Sequence, residues 1–131
     1  MRNLDERACT ILSGYKRQLP SGISESYEQI EYVSWFRRTY PQHKIFAIPN
    51  GGKRTKGFGA KQKAEGLEKG VHDLHVPSLK LWIEMKKDRT KKPTKEQIEW
   101  GQYVESIGHT WFLGLGFEDA QEKTINFMEK Q

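Results

Sequence analysis

The chain has 131 residues, the size of a single domain, which excludes a large multidomain machine. It carries 22 Lys and Arg against 17 Asp and Glu, a net charge of +5 with a pI near 9.3, and 35% of its residues are hydrophobic; this favours an anionic partner and leaves a modest core. The lone Cys9 excludes an intramolecular disulfide framework, and no apolar run reaches the roughly 20 residues of a spanning helix, so a soluble intracellular protein without membrane association is expected.

Residues 1–22, with Gly14, Pro20 and Gly22, read as a weakly packed N-terminal arm ahead of a domain over residues 23–131. Ser24 or Ser26 caps a helix running to Thr39, in which Tyr27, Ile30, Val33 and Phe36 recur at helical spacing and Tyr40-Pro41 ends the element. Residues 45–48 read as a buried strand, broken by Asn50-Gly51-Gly52. The basic stretch that follows to Gly70 is too long for a plain connection and predicts a short helix with Ala60, Ala64 and Leu67 aligned.

Residues 71–76 and 81–87 predict two strands of a hairpin joined by Pro77-Ser78-Leu79-Lys80. Thr94 and Gln97 form a capping box ahead of Trp100, Tyr103, Val104 and Ile107, and Gly108 stands where a helix C′ glycine belongs. Residues 109–115 read as a further strand and residues 118–129 as a closing helix, giving an α/β domain. Charge is uneven along it: residues 51–95 hold 13 Lys or Arg against 5 Asp or Glu, a net of +8, and the remainder sums to −3.

If Val76 pairs with Leu81 across the hairpin loop, paired residue numbers share one sum and Asp73 lies opposite Glu84. Alternation then puts Leu74, Val76, Leu81, Ile83 and Met85 on a core face and Asp73, His75, Trp82, Glu84 and Lys86 on the other. Opposed side chains have Cβ atoms about 4.5 to 5.5 Å apart, where like charges repel. A hard divalent cation such as Mg²⁺, bound by one or two carboxylates with water and phosphate oxygens, relieves that repulsion. Lys86, two residues beyond Glu84, can hold a nucleophilic water or stabilise charge on a phosphate. The alternative is a surface hairpin in which Glu84 merely pairs with Lys86 or Lys87.

His72 and His75, on opposite faces of one strand, are not expected to share a zinc ion. Gly51-Gly52-Lys53, Gly57-Phe58-Gly59 and Gly114-Leu115-Gly116 each lack the remaining residues of a nucleotide-binding loop, so no organic cofactor site is expected. Trp82 shares the face of Glu84 and is either core or a DNA contact; His75 is either a surface histidine or a phosphate contact. Gln97 lies on the stripe of Trp100, Tyr103 and Val104 and so faces the sheet, a placement compatible with its capping role.

Gly70-Val71-His72-Asp73-Leu74, Trp82-Ile83-Glu84-Met85-Lys86, the Thr94 to Gln97 box with Trp100, the upstream Ile48-Pro49-Asn50-Gly51-Gly52, and Gly108 ahead of a strand together resemble the VRR-NUC family of PD-(D/E)XK nucleases over residues 24–130. Two positions depart from its pattern: His72 replaces a proline, and Met85 a small β-branched residue. The resemblance implies a restriction-endonuclease-like mixed sheet flanked by helices and Mg²⁺- or Mn²⁺-dependent DNA hydrolysis. Asp73 and Glu84 would be metal ligands, the Met85 carbonyl would complete the shell, Lys86 would be the catalytic lysine and Gln97 the family's helix glutamine. A first-helix glutamate joins the site in the family; Glu28, in line with Tyr32 and Trp35, is favoured over Glu31.

By the same resemblance the substrate would be branched, flapped or junction DNA in replication, repair or recombination. The protein would be a phage-type stand-alone member in the cytoplasm of a bacterial or phage-infected cell, acting as a homodimer. Asn50, Lys53, Arg54, Lys56, Lys61, Lys63, Lys87, Arg89, Lys91 and Lys92 are candidate DNA contacts, with a solvated charged surface as the alternative. The rival from another class is a non-catalytic nucleic-acid-binding module built on the same basic segment.

Overall fold

A computed structural model describes residues 24–49 and 56–131; the expected N-terminal arm, Asn50, Lys53 and Arg54, and the side chain of Lys56 lie outside the described residues. In chain order the elements are α1 (Ser24–Thr39), β1 (Phe46–Ala47), α2 (Lys56–Ala64), β2 (Leu74–Val76), a 3-10 turn (Pro77–Leu79), β3 (Leu81–Lys86), α3 (Lys95–Ser106), β4 (Thr110–Leu115) and α4 (Phe117–Glu129). The sheet order is β1-β2-β3-β4, with β1/β2 and β2/β3 antiparallel and β3/β4 parallel. A parallel pair needs a long crossover, which α3 supplies. This is the expected mixed α/β sheet flanked by helices.

Period-two alternation divides the sheet as the sequence implies: Leu74, Val76, Leu81, Ile83 and Met85 are fully buried against Tyr32, Trp35 and Phe36 of α1 and Ala120 of α4. Tyr32 and Thr124 share a buried hydroxyl hydrogen bond of 2.7 Å that ties those two helices together. On the opposite face α3 lies over β4, with Val104 fully buried. Gly101 permits that close approach, since a Cβ there would collide with the Trp111 indole.

Four expectations are corrected. The strand expected over residues 45–48 is short and exposed; only Ile45 beside it is buried. It lies at the sheet edge, where a strand has one neighbour and a residue can turn outward. Tyr103 on α3 and Ile107 at its C-terminal cap are exposed, because the side that meets β4 is the one carrying Gly101 and Val104. The strand expected over residues 71–76 begins only at Leu74, since the backbone bends at Asp73. That bend cancels the alternation before it, so His72 and His75 both stand on the α3 side of the sheet, His72 against Trp111 and His75 against Trp82. Among the described residues no helix is long and apolar enough to cross a membrane.

Candidate active site

Hairpin geometry fixes the register. Lys80 takes the left-handed conformation at φ 51°, its N–H donates to the Pro77 carbonyl at 3.1 Å, and Val76 faces Leu81, His75 faces Trp82 and Leu74 faces Ile83. The ladder ends at Leu74, and Asp73 stands in the bend just ahead of it, with its carboxylate turned to β3 and close enough to Glu84 to raise its proton affinity. Asp73 is held there twice: its carbonyl accepts the Ile48 N–H at 2.7 Å, and its Oδ2 accepts the Met85 N–H at 3.0 Å. Met85 itself is fully buried, and its N–H is what aims the Asp73 carboxylate towards β3.

Glu84 is 2% exposed, in the middle of β3. Burial, and then the facing Asp73 charge, push its carboxyl up to about 8 against the opposing pull of Lys86. Its Oε2 accepts the Gln97 side-chain amide at 2.8 Å and lies 3.5 Å from Lys86 Nζ. Its Oε1 is buried without a hydrogen-bond partner. Lys86, 9% exposed at the end of the same strand, donates through Nζ to Gln97 Oε1 at 2.9 Å.

Gln97 reaches both groups because the capping box places it there. Thr94 accepts the Gln97 N–H, and Gln97 Oε1 accepts the Thr94 N–H at 2.9 Å, so the same side chain closes the cap and touches Glu84 and Lys86. Asp73 from the bend ahead of β2, Glu84 and Lys86 from β3, and Gln97 from α3 are thus joined by hydrogen bonds and charge over the sheet.

No protein-family model and no curated protein matches the sequence. In three dimensions the chain is similar to a solved VRR_NUC domain protein, with a TM-score of 0.67, 21% identity, and coverage of 84% of this chain and 92% of that one. The fold is that of a VRR_NUC domain. Within it the candidate residues stand on the bend ahead of β2, on β3 and on the first turn of the crossover helix α3.

Burial first, and then the charge of Asp73 and the proton the two carboxyls share, raise the proton affinity of Glu84, and its Oε1 takes no hydrogen bond from an N–H or hydroxyl donor; a hard cation can replace that proton between the two carboxylates. Among the described residues no three His, Cys, Asp or Glu side chains gather into a metal cluster. Asp73 and Glu84 are thus two carboxylates turned towards each other, a donor set that fits a hard cation keeping part of its water better than a closed structural site.

Glu28 is not brought to that pair. Its Oε1 accepts the Phe117 N–H at 2.8 Å, so it caps the start of α4. Sequence offered no local signal for this, because the partners are 89 residues apart. Among the basic candidates, Lys61 pairs with Glu65 at 3.7 Å and Arg89 with Asp119 at 3.7 Å, while Lys63 lines a cleft of about 400 Å³ shared with Lys69, Gly70, Thr94 and Gln97. Lys87, Lys91 and Lys92 are exposed between β3 and α3.

His75 stacks on Trp82 at 3.8 Å and donates through Nδ1 to the Leu81 carbonyl at 3.0 Å, while Trp82 donates to His109 Nδ1 at 3.0 Å. Both rings are engaged in packing over the sheet. His72 is fully buried, with Nε2 2.9 Å from the Gln97 carbonyl, a contact that neither its departure from the family pattern nor its place in the strand foreshadows. Burial holds its pKa below the usual histidine value, opposed by that carbonyl and reinforced by Lys86.

Proposed function

We propose that this protein is a Mg²⁺- or Mn²⁺-dependent DNA endonuclease that hydrolyses phosphodiester bonds. The observation that carries the reading is the unpartnered, buried Oε1 of Glu84 beside Asp73, with Lys86 fixed next to it. Asp73, Glu84 and the Met85 carbonyl would hold the ion, which when bound supplies Lewis-acid charge to the scissile phosphate. Lys86 is a cation whose amine is already oriented, so it can hold a water or a phosphoryl oxygen without reorganising. Gln97 keeps that amine in place and neutralises part of the Glu84 charge through its amide. The basic residues of the 51–95 segment would neutralise flanking phosphates.

On the family resemblance we read the substrate as branched, flapped or junction DNA and the working form as a homodimer. The test is a panel of labelled duplex, flap, single-stranded and four-way junction DNAs incubated with Mg²⁺, Mn²⁺ or EDTA, for the wild type and Lys86→Ala. Expected is metal-dependent cleavage of branched substrates by the wild type alone, with binding retained in the variant. Binding without cleavage by the wild type under every metal condition would replace this reading with that of a non-catalytic module.

A further inference from the structure

We propose that His72 is a positioning residue of this site: its imidazole fastens the first turn of α3 to the segment leading into β2, and thereby sets Gln97 between Lys86 and Glu84. The ring is fully buried and its Nε2 lies 2.9 Å from the Gln97 main-chain oxygen. A carbonyl only accepts, so Nε2 carries the hydrogen and, in the neutral ring, Nδ1 carries the lone pair. That Nδ1 is buried and has no partner. As a filler between sheet and helix, a ring with one unsatisfied polar atom is inferior to an apolar side chain of the same volume. What the imidazole supplies instead is one directed bond, to the residue whose side chain bridges the site.

Its orientation is itself fixed, since the ring packs on Trp111 at 4.8 Å between centroids. The neighbouring backbone reinforces the fastening. Gly70, at φ +89°, passes so close to the Glu96 carbonyl that a Cβ would collide with it. The Thr94 capping box closes the same turn from the other side. A displacement of this turn by ~1 Å would stretch the Gln97 side-chain bonds to Glu84 and Lys86 beyond hydrogen-bond range, and these two, at 2.8 and 2.9 Å, are what tie that pair to α3.

The activity readout rests on the nuclease reading, so a second, metal-free readout accompanies it. His72→Gln puts an amide N–H at the reach of Nε2; His72→Asn reaches only the Nδ1 position; His72→Phe keeps the ring and loses the donor. Expected is wild-type kcat in the Gln variant and a loss of roughly tenfold or more in the Asn and Phe variants, as for other residues that orient a ligating group, with KM for DNA unchanged. In nuclear magnetic resonance spectra of the metal-free protein, the Gln97 side-chain amide should exchange slowly in the wild type and the Gln variant and quickly in the other two. Folded Asn and Phe variants with wild-type kcat and slow exchange at Gln97 would overturn the proposal. Should His72→Phe fail to fold, the Gln and Asn pair decides. Should the wild type not cleave DNA at all, the nuclease reading fails, while the exchange pattern still decides the role of His72.

Discussion

Gln97 donates its side-chain amide to Glu84 at 2.8 Å across the seam between α3 and β3. The other end of the same amide accepts from Lys86 and from the Thr94 N–H, both at 2.9 Å, so one side chain starts a helix and orders a charged site. Removing it and removing the cap alone should differ. Gln97→Ala is expected to lose about 1 kcal/mol of stability with the capping box and roughly 10- to 100-fold in cleavage with the bridge. Thr94→Ala should lose comparable stability and far less activity, because the side-chain bonds to Glu84 and Lys86 survive. Urea denaturation and single-turnover cleavage on both variants check this; equal activity losses would assign the effect to the helix start.

Glu28 offers a second separation. Its bond to the Phe117 N–H makes it the cap of α4. Glu28→Ala should cost about 1 kcal/mol, whereas Glu28→Gln, which retains an acceptor, should cost a few tenths at most. The Mn²⁺-induced rise in melting temperature should match the wild type in both. A reduced Mn²⁺ response in Glu28→Gln would show that the carboxylate reaches the ion after all.

These residues also show where a sequence is readable. The β2/β3 register follows from a four-residue loop and period-two alternation, both local, and the Thr94 and Gln97 box is an i, i+3 pattern visible without a structure. The length of β2 was not readable. Its start depends on a bend at Asp73 and on His72 meeting Gln97, 25 residues away, and it is this meeting that moves His72 to the α3 side. Nor does an apolar run such as residues 45–48 reveal whether its strand is central or at the edge; that is set by sheet order. Tyr103 and Ile107 fit the helical stripe, yet the packed side of α3 was chosen by Gly101 and Trp111.

Lys87, Lys91 and Lys92 lie exposed on the segment joining the strand of Glu84 and Lys86 to α3. Replacing all three by Ala should weaken binding to every DNA tested and lower the slope of log K against log salt by up to about 0.9 for each phosphate contact removed. Stability should hold within about 0.5 kcal/mol, as for surface substitutions generally. Fluorescence anisotropy at several salt concentrations measures it, and an unaltered slope would leave these lysines as solvated surface.

The last prediction comes from the proton affinity of Glu84. Burial and the Asp73 charge raise its folded pKa to about 8 from an ordinary 4.5, so between these values the folded protein binds more protons than the unfolded chain. Stability with respect to this group is therefore complete below pH 4.5 and is lost as pH rises towards 8. His72 and His75, whose pKa values burial lowers from 6.5, act in the opposite sense, costing stability as pH falls below that value. The comparison that isolates Glu84 is with Glu84→Gln, which leaves both histidines in place. In EDTA the variant should gain on the wild type steadily from pH 5 to pH 8, by a total on the order of 1 to 3 kcal/mol. Mn²⁺ should reverse the trend in the wild type, since ionised carboxylates bind the ion and its stabilisation grows as RT ln(1 + [L]/Kd). Melting curves across that range, with EDTA and with Mn²⁺, make the measurement. A difference between the two proteins that does not change with pH would mean Glu84 is already ionised in the metal-free fold, and the case for an ion at its unpartnered oxygen would lose its electrostatic basis.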